Sequence, residues 1–244
     1  MNLRFENLKR RYGDKTVLDF EQGWITDGTI TGLIGPNGAG KTTFLNIVAG
    51  LDKPSEGCVT YGYTAENGDP LFTETVPKEK VTLLFQHPYL IHTTVEKNLA
   101  YPLKLRKIPK AQIDTRVAEL MHEMGLTSLA KQRGRRISGG EMQKVAFARA
   151  LSFYPELLLM DEATSNLDSA TTAEVERIIR RENREKGTTI VIVSHNLAQI
   201  KRLCDEVIFI DEGRIIESGS VFGVFDNPQK AETKAFFEDR LLNT

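Results

Sequence analysis

The chain has 244 residues, with 32 Lys plus Arg against 33 Asp plus Glu, and 40% of it is hydrophobic. That charge balance argues against a dedicated nucleic-acid binder, which is normally clearly basic, and the apolar content excludes a disordered segment. The longest apolar runs, VTLLF, LLLM and IVIV, fall well short of the ~18–20 residues a membrane helix needs.

The first twelve residues mix both charge signs and lack the apolar core of a signal peptide. Cys58 and Cys204 offer neither a CxxC nor a disulfide framework, and are expected to be small buried hydrophobes in a soluble protein of a reducing compartment. Residues 3–8 and 16–20 read as short strands punctuated by Gly13-Asp14 and Asp27-Gly28, and 29–34 as a buried strand. A loop over 35–40 then leads to a helix over 41–49, closed by Gly50.

The loop and helix start, Gly35-Pro36-Asn37-Gly38-Ala39-Gly40-Lys41-Thr42, fit the phosphate-loop pattern GxxxxGK(S/T) between a strand and a helix. Its glycines let the backbone wrap a phosphate, with successive N–H groups and the helix N-terminus facing the anion. Lys41 suits the β- and γ-phosphates and the Thr42 hydroxyl suits Mg²⁺. ATP is favoured over GTP because no NKxD-type guanine-reading segment is present.

Residues 57–77 read as hairpin and loop, 81–85 as a strand, and from Pro88 the character turns helical. Within 111–124, Ile113, Val117, Leu120, Met121 and Met124 make one amphipathic stripe, ended by Gly125. Ser138 and Glu141 form a capping box for a helix running to Ala150, whose glycine-lightened start is also an anion site. The strand over 157–160 ends in Asp161, placed to hold Mg²⁺ opposite the phosphate loop, and in Glu162, placed to polarise a water as general base.

Helices over 169–184 and 196–203 then alternate with strands over 188–193 and 206–210, and the turn Asp211-Glu212-Gly213 leads into 214–217. Such alternation implies an α/β fold with a parallel sheet covered on both faces. The expected division is a core with its β part over 1–88 and 154–227, a helical insertion over 89–153 and a helical tail over 228–244.

The run Ile137-Ser138-Gly139-Gly140-Glu141-Met142-Gln143, set between the phosphate loop and the acidic strand, resembles the signature of ATP-binding cassette (ABC) transporter ATPases, and the likeness covers essentially the whole chain. The resemblance implies their fold: a P-loop NTPase core with a parallel sheet, an N-terminal antiparallel β subdomain and a helical subdomain. It further implies that Tyr12 stacks on adenine, that Gln86 contacts Mg²⁺ or the attacking water, and that His195 contacts the γ-phosphate. Ser165-Asn166-Leu167-Asp168 matches the family's D-loop, and Asp168 is also a plausible helix N-cap. Thr43 joins the phosphate-binding set.

In that family Ser138, Gly139 and Gly140 of one copy close on ATP held by another, so an ATP-bound homodimer is implied. Four positions depart from the pattern: Ile137 for Leu, Lys144 for Arg, Ala163 for Pro after Glu162, and Asn166 for a small residue. None removes a catalytic group, and Ala163 bears on the turn that holds Glu162.

The separation of 97 positions between Lys41 and Ser138 (138 − 41) leaves no room for the long coiled coil of the DNA-repair relatives. Translation-type relatives carry two cassettes, and this chain has one. The resemblance therefore implies a peripheral subunit on the cytoplasmic face of a membrane, working with integral permease subunits, indirectly with an extracytoplasmic solute-binding protein, and not with nucleic acid. Residues 88–99 resemble the importer stretch that receives the permease. Ser138–Gln143 with Ser194-His195-Asn196-Leu197-Ala198-Gln199 is most similar to tungstate-type oxyanion importers, while Asn227-Pro228-Gln229 is similar to polar amino-acid importers. An export or lipoprotein-release ATPase is the third alternative. The chain ends too soon after this tail to expect an added regulatory domain.

Overall fold

The computed structural model describes residues 1–65, 67–165 and 167–242. Strands β1 (Asn2–Tyr12) and β2 (Lys15–Ile25) form an antiparallel hairpin around Gly13. After β3 (Ile30–Ile34) and helix α1 (Lys41–Val48), strand β4 (Glu56–Thr64) returns to pair with β1, and β5 (Pro70–Thr73) pairs with β4. The result is a four-stranded antiparallel sheet in the order β2-β1-β4-β5. Both hairpin strands run longer than the sequence pattern suggests, because a bulge breaks the alternation. Leu3 and Phe5 point inward, Asn7 adopts φ 48°, and the inward position then moves to Leu8. Gly57 is required opposite the bulge, where a Cβ would lie 2.2 Å from the Asn7 carbonyl oxygen.

The chain continues through β6 (Val81–Leu84), α2 (Val95–Leu105), α3 (Lys110–Glu123), α4 (Gly139–Leu151), β7 (Leu157–Asp161), α5 (Ser169–Lys186), β8 (Thr189–Val193), α6 (Leu197–Leu203), β9 (Glu206–Asp211), β10 (Arg214–Ser220), α7 (Val221–Asp226) and α8 (Ala231–Leu242). The second sheet has the order β10-β9-β3-β8-β7-β6, parallel throughout except for β10 at its edge. Every residue of β3, β7 and β8 is buried, as a parallel sheet covered on both faces demands.

The period of two persists inside these all-apolar strands. Leu157, Leu159, Val191 and Val193 face the antiparallel sheet and α1, where the rings of Phe5, Phe20 and Phe44 meet with centroids 5.0–5.8 Å apart. Leu158, Met160, Ile190 and Ile192 face the helical side. The α/β expectation holds, and so does the stripe on α3: Ile113, Val117, Leu120, Met121 and the following Met124 are all buried.

Two expectations shift. Helix does not begin at Pro88 but at Val95, behind a Thr94 cap. The buried Asn98 amide bonds the Ile91 N–H (2.8 Å), the Ile91 carbonyl (3.1 Å) and the Thr94 carbonyl (3.0 Å), pinning the preceding segment outside the helix. Cys204 is buried, but Cys58 is only partly so, because it sits on the outward register of β4. Among the described residues no helix is long and apolar enough to cross a membrane.

Candidate functional site

The loop between β3 and α1 is shaped by backbone that only glycine tolerates. Gly35 passes so close to β9 that a Cβ would lie 2.0 Å from the Ile210 carbonyl oxygen, and Gly40, at φ 100°, lies against Val17 and Leu18 of β2. Gly38 also has positive φ, yet its Cβ position faces open space. Asn37, Gly38 and Thr42 are exposed and Thr43 half-buried, whereas Ala39 is buried.

Helix α1 has no side-chain cap and no carboxylate in its first turn, so its leading N–H groups keep their full affinity for an anion. The Lys41 ammonium lies within the loop, donating to the carbonyls of Gly35 (2.8 Å) and Pro36 (2.7 Å). Burial lowers the Lys41 pKa, the charges of Glu162 and Asp161 oppose the shift, and the positive charge of Arg240 on α8 adds to it. An arriving polyanion would offset that desolvation cost by attracting the ammonium charge.

Asp161 ends β7 in register with Val193 of β8. Burial holds its carboxyl above the ordinary value, and a hydrogen bond from Thr42 opposes the rise. A carboxyl whose pKa rises on folding binds more protons folded than unfolded. Stability therefore falls as pH climbs from the ordinary carboxylate value through the folded one, and the penalty is complete above it. Asp161→Asn is thus expected to raise the thermal midpoint of the nucleotide-free protein at mildly alkaline pH, by roughly 2–4 °C per kcal/mol released. Calorimetry would show that gain fading as the pH is lowered to the ordinary carboxylate range.

Glu162, the next residue, is held at φ 50°, a left-handed conformation that costs a non-glycine residue on the order of 1 kcal/mol or more. Its N–H donates to the Val193 carbonyl (3.0 Å), which fixes the turn. Its carboxylate thereby reaches His195, with Oε1 2.5 Å from Nε2. Gln86 makes a long contact (3.4 Å) to the Ser165 hydroxyl, which itself donates to the Glu162 carbonyl (2.9 Å). The structure thus gathers Lys41, Thr42, Asp161, Glu162, His195 and Gln86 at the carboxyl ends of β3, β6, β7 and β8. A cavity of about 690 Å³ opens beside Glu162 and His195.

The other sequence candidates lie around this centre. Tyr12 is 50% exposed; its hydroxyl donates to Asp52, and the Arg10 guanidinium stands 4.4 Å from the ring centroid. Arg10 pairs with Asp52 at 2.8 Å and so locks the ring, a support that no sequence motif reveals. Asp168 caps α5 by accepting from the Thr171 N–H (2.9 Å), and the bonds from Thr171 hold its carboxyl below the ordinary value. Asn166 lies outside the described residues.

Ser138 and Glu141 make the expected capping box, with the Ser138 N–H donating to Glu141 at 2.8 Å. Cβ positions at Gly139 and Gly140 meet nothing within 4 Å, so this helix end is an open surface. Sequence reasoning missed Gln143. It is buried on α4, and its side-chain amide donates to the carbonyl of Ala163, so the helix that begins at Ser138 is tied to the turn that carries Glu162. Its position in the signature run was the available signal.

The family profile described as ABC transporter matches residues 22–165. The tungstate uptake system ATP-binding protein TupC of Peptoclostridium acidaminophilum is 42% identical over 222 residues, covering 91% of this chain and 100% of that protein. The methionine import ATP-binding protein MetN of Xanthomonas euvesicatoria pv. vesicatoria is 41% identical, covering 88% of this chain but only 64% of that longer protein. A solved dimeric post-hydrolysis state of the ATP-binding cassette MJ0796, bound to ADP and Pi, superposes with a TM-score of 0.77 at 27% identity, covering 90% of this chain and 98% of that one.

Proposed function

This chain belongs to the ABC transporter ATPase family, and from that premise we propose that it powers uptake of a small oxyanion, tungstate or a close relative, through a separate permease on whose cytoplasmic face it docks. The single observation that carries the hydrolytic reading is the 2.5 Å contact between Glu162 and His195, beside an uncapped phosphate loop with a buried lysine.

In this reading Gly35, Asn37, Gly38, Ala39, Gly40, Thr42 and Thr43 cradle the phosphates, and the Lys41 ammonium exchanges its two carbonyl partners for β- and γ-phosphate oxygens. Adenine stacks on the half-exposed ring of Tyr12, a contact worth about 1–3 kcal/mol. Glu162 takes the proton of the attacking water, while His195 orients the Glu162 carboxylate and faces the γ-phosphate. Gln86 lies within reach of the same space through Ser165. Mg²⁺ would supply charge neutralisation of the phosphates. The buried Asp161 carboxylate and the Thr42 hydroxyl fit it, being hard oxygen donors that already share a hydrogen bond.

The open surface at Ser138, Gly139 and Gly140 supports completion of the site by a second copy. ATP then holds two copies together and phosphate release lets them part. A groove lined by Phe85, Pro88, Tyr89, Tyr101 and Leu105, with Tyr89 72% exposed, supports docking of an apolar permease segment. The oxyanion class rests on the likeness to the tungstate uptake protein over nearly the whole chain.

The test is to isolate the native complex through this subunit, identify the integral membrane protein and its solute-binding protein, and titrate the latter with tungstate, molybdate and methionine. Oxyanion binding is the expected result. Methionine binding would overturn the substrate class, and copurification with ribosomes or DNA and no membrane protein would overturn transport.

A further inference from the structure

Behind the Glu162–His195 pair lies a buried polar cluster that the chemistry above does not use. At its centre is Gln199 on α6, 2% exposed. Its Oε1 accepts from the Thr164 hydroxyl (3.1 Å) and from the Ser194 hydroxyl (2.8 Å), and its Nε2 donates to Glu176 on α5 (3.0 Å). Thr164 follows Glu162 by two residues, and Ser194 directly precedes His195. One amide therefore grips both catalytic turns and anchors them to a third element.

The anchor is itself firm. Arg202 donates to both Glu176 oxygens (3.0 and 2.6 Å). Burial pushes the Glu176 carboxyl up, and the hydrogen bonds from Arg202 and Gln199 outweigh it, so the group lies below the ordinary value. The hydroxyls are committed as well: Ser194 accepts from the Asn196 N–H (3.1 Å) while donating to Gln199. The backbone N–H of Gln199 donates to the Asn196 side chain (2.9 Å), the cap that fixes the start of α6 directly after His195. A network in which every member is satisfied has one arrangement, and such networks rigidify what they touch.

We propose that Gln199 is a positioning residue: its carboxamide clamps the turn of Glu162 to the turn of His195, so that base and histidine meet the γ-phosphate in fixed register. The proposal rests on the roles assigned to those two residues. It also accounts for the buried amide on α6, whose side-chain partners all lead to the two turns or to their anchor.

The decisive variant is Gln199→Met, close in length and unable to form any of the three bonds. Its kcat for ATP hydrolysis is expected to fall about 10- to 100-fold, the scale of a misplaced catalytic group, with KM for ATP within about two-fold of the native value. Thr164→Val and Ser194→Ala each release one turn. Adding Gln199→Met to that pair is expected to cost little more, because residues acting as one unit are not additive.

A Gln199→Met protein with near-native kcat, a loss confined to KM, or losses that simply multiply would overturn the clamp. If Gln199→Met does not fold, Thr164→Val and Ser194→Ala decide it by the same kcat criterion. Glu162→Gln, assayed in parallel, separates the two failures: near-native turnover there overturns the assigned base and the clamp with it, whereas an inert Glu162→Gln beside a near-native Gln199→Met overturns the clamp alone.

Discussion

Glu162→Gln is expected to lower ATP turnover by about 10²–10⁴-fold, the usual contribution of a positioned general base, while leaving nucleotide binding intact. The amide is isosteric with the carboxylate and can still bond His195, so the turn at φ 50° and its tie to Val193 survive. What disappears is the lone pair that takes the water's proton. Because ATP then persists between two copies, the variant is expected to elute as an ATP-dependent dimer by size-exclusion chromatography with light scattering, with phosphate release followed in parallel. Native-like phosphate release would remove Glu162 from the mechanism.

Ser138→Arg is expected to abolish cooperative hydrolysis and ATP-dependent dimerisation, yet to leave ATP binding to the isolated chain unchanged. The helix end at Ser138 is exposed and faces open space at Gly139 and Gly140, so a long cation has room in one copy and obstructs the approach of a second. Loss of the cap costs about 1 kcal/mol, a shift of a few degrees in thermal midpoint, too little to unfold the chain. Ser138→Asn, which keeps a capping side chain without the bulk, is the control. Binding is read by fluorescence titration and dimerisation by light scattering; a Ser138→Arg dimer formed with ATP would sink completion of the site by a second copy.

Much of this site was legible from order along the chain alone. The phosphate loop, the acidic end of β7 and the Ser138 cap are local devices, each written in residues adjacent in sequence, and each lies where the spacing placed it. The stripe on α3 was readable for the same reason, since helical periodicity is a property of one segment. Where long-range contacts intervene, the local pattern misleads. The bulge at Asn7 breaks the alternation of β1, and the Asn98 amide keeps residues 88–94 out of helix.

Sequence alone thus determined which chemistry-bearing groups exist and which local conformation presents each one, because caps, glycine turns and buried apolar runs act over a few residues. It could not determine which groups meet. The contact of Glu162 with His195 depends on β7 lying beside β8, and the grip of Gln143 on Ala163 depends on how α4 packs. The Arg10–Asp52 lock on Tyr12 depends on the segment after α1 passing β1, and the Gln199 cluster on α5 and α6 flanking the same edge. Hydrogen bonds and ion pairs between distant segments follow from sheet order and helix packing, and only the folded chain supplies those.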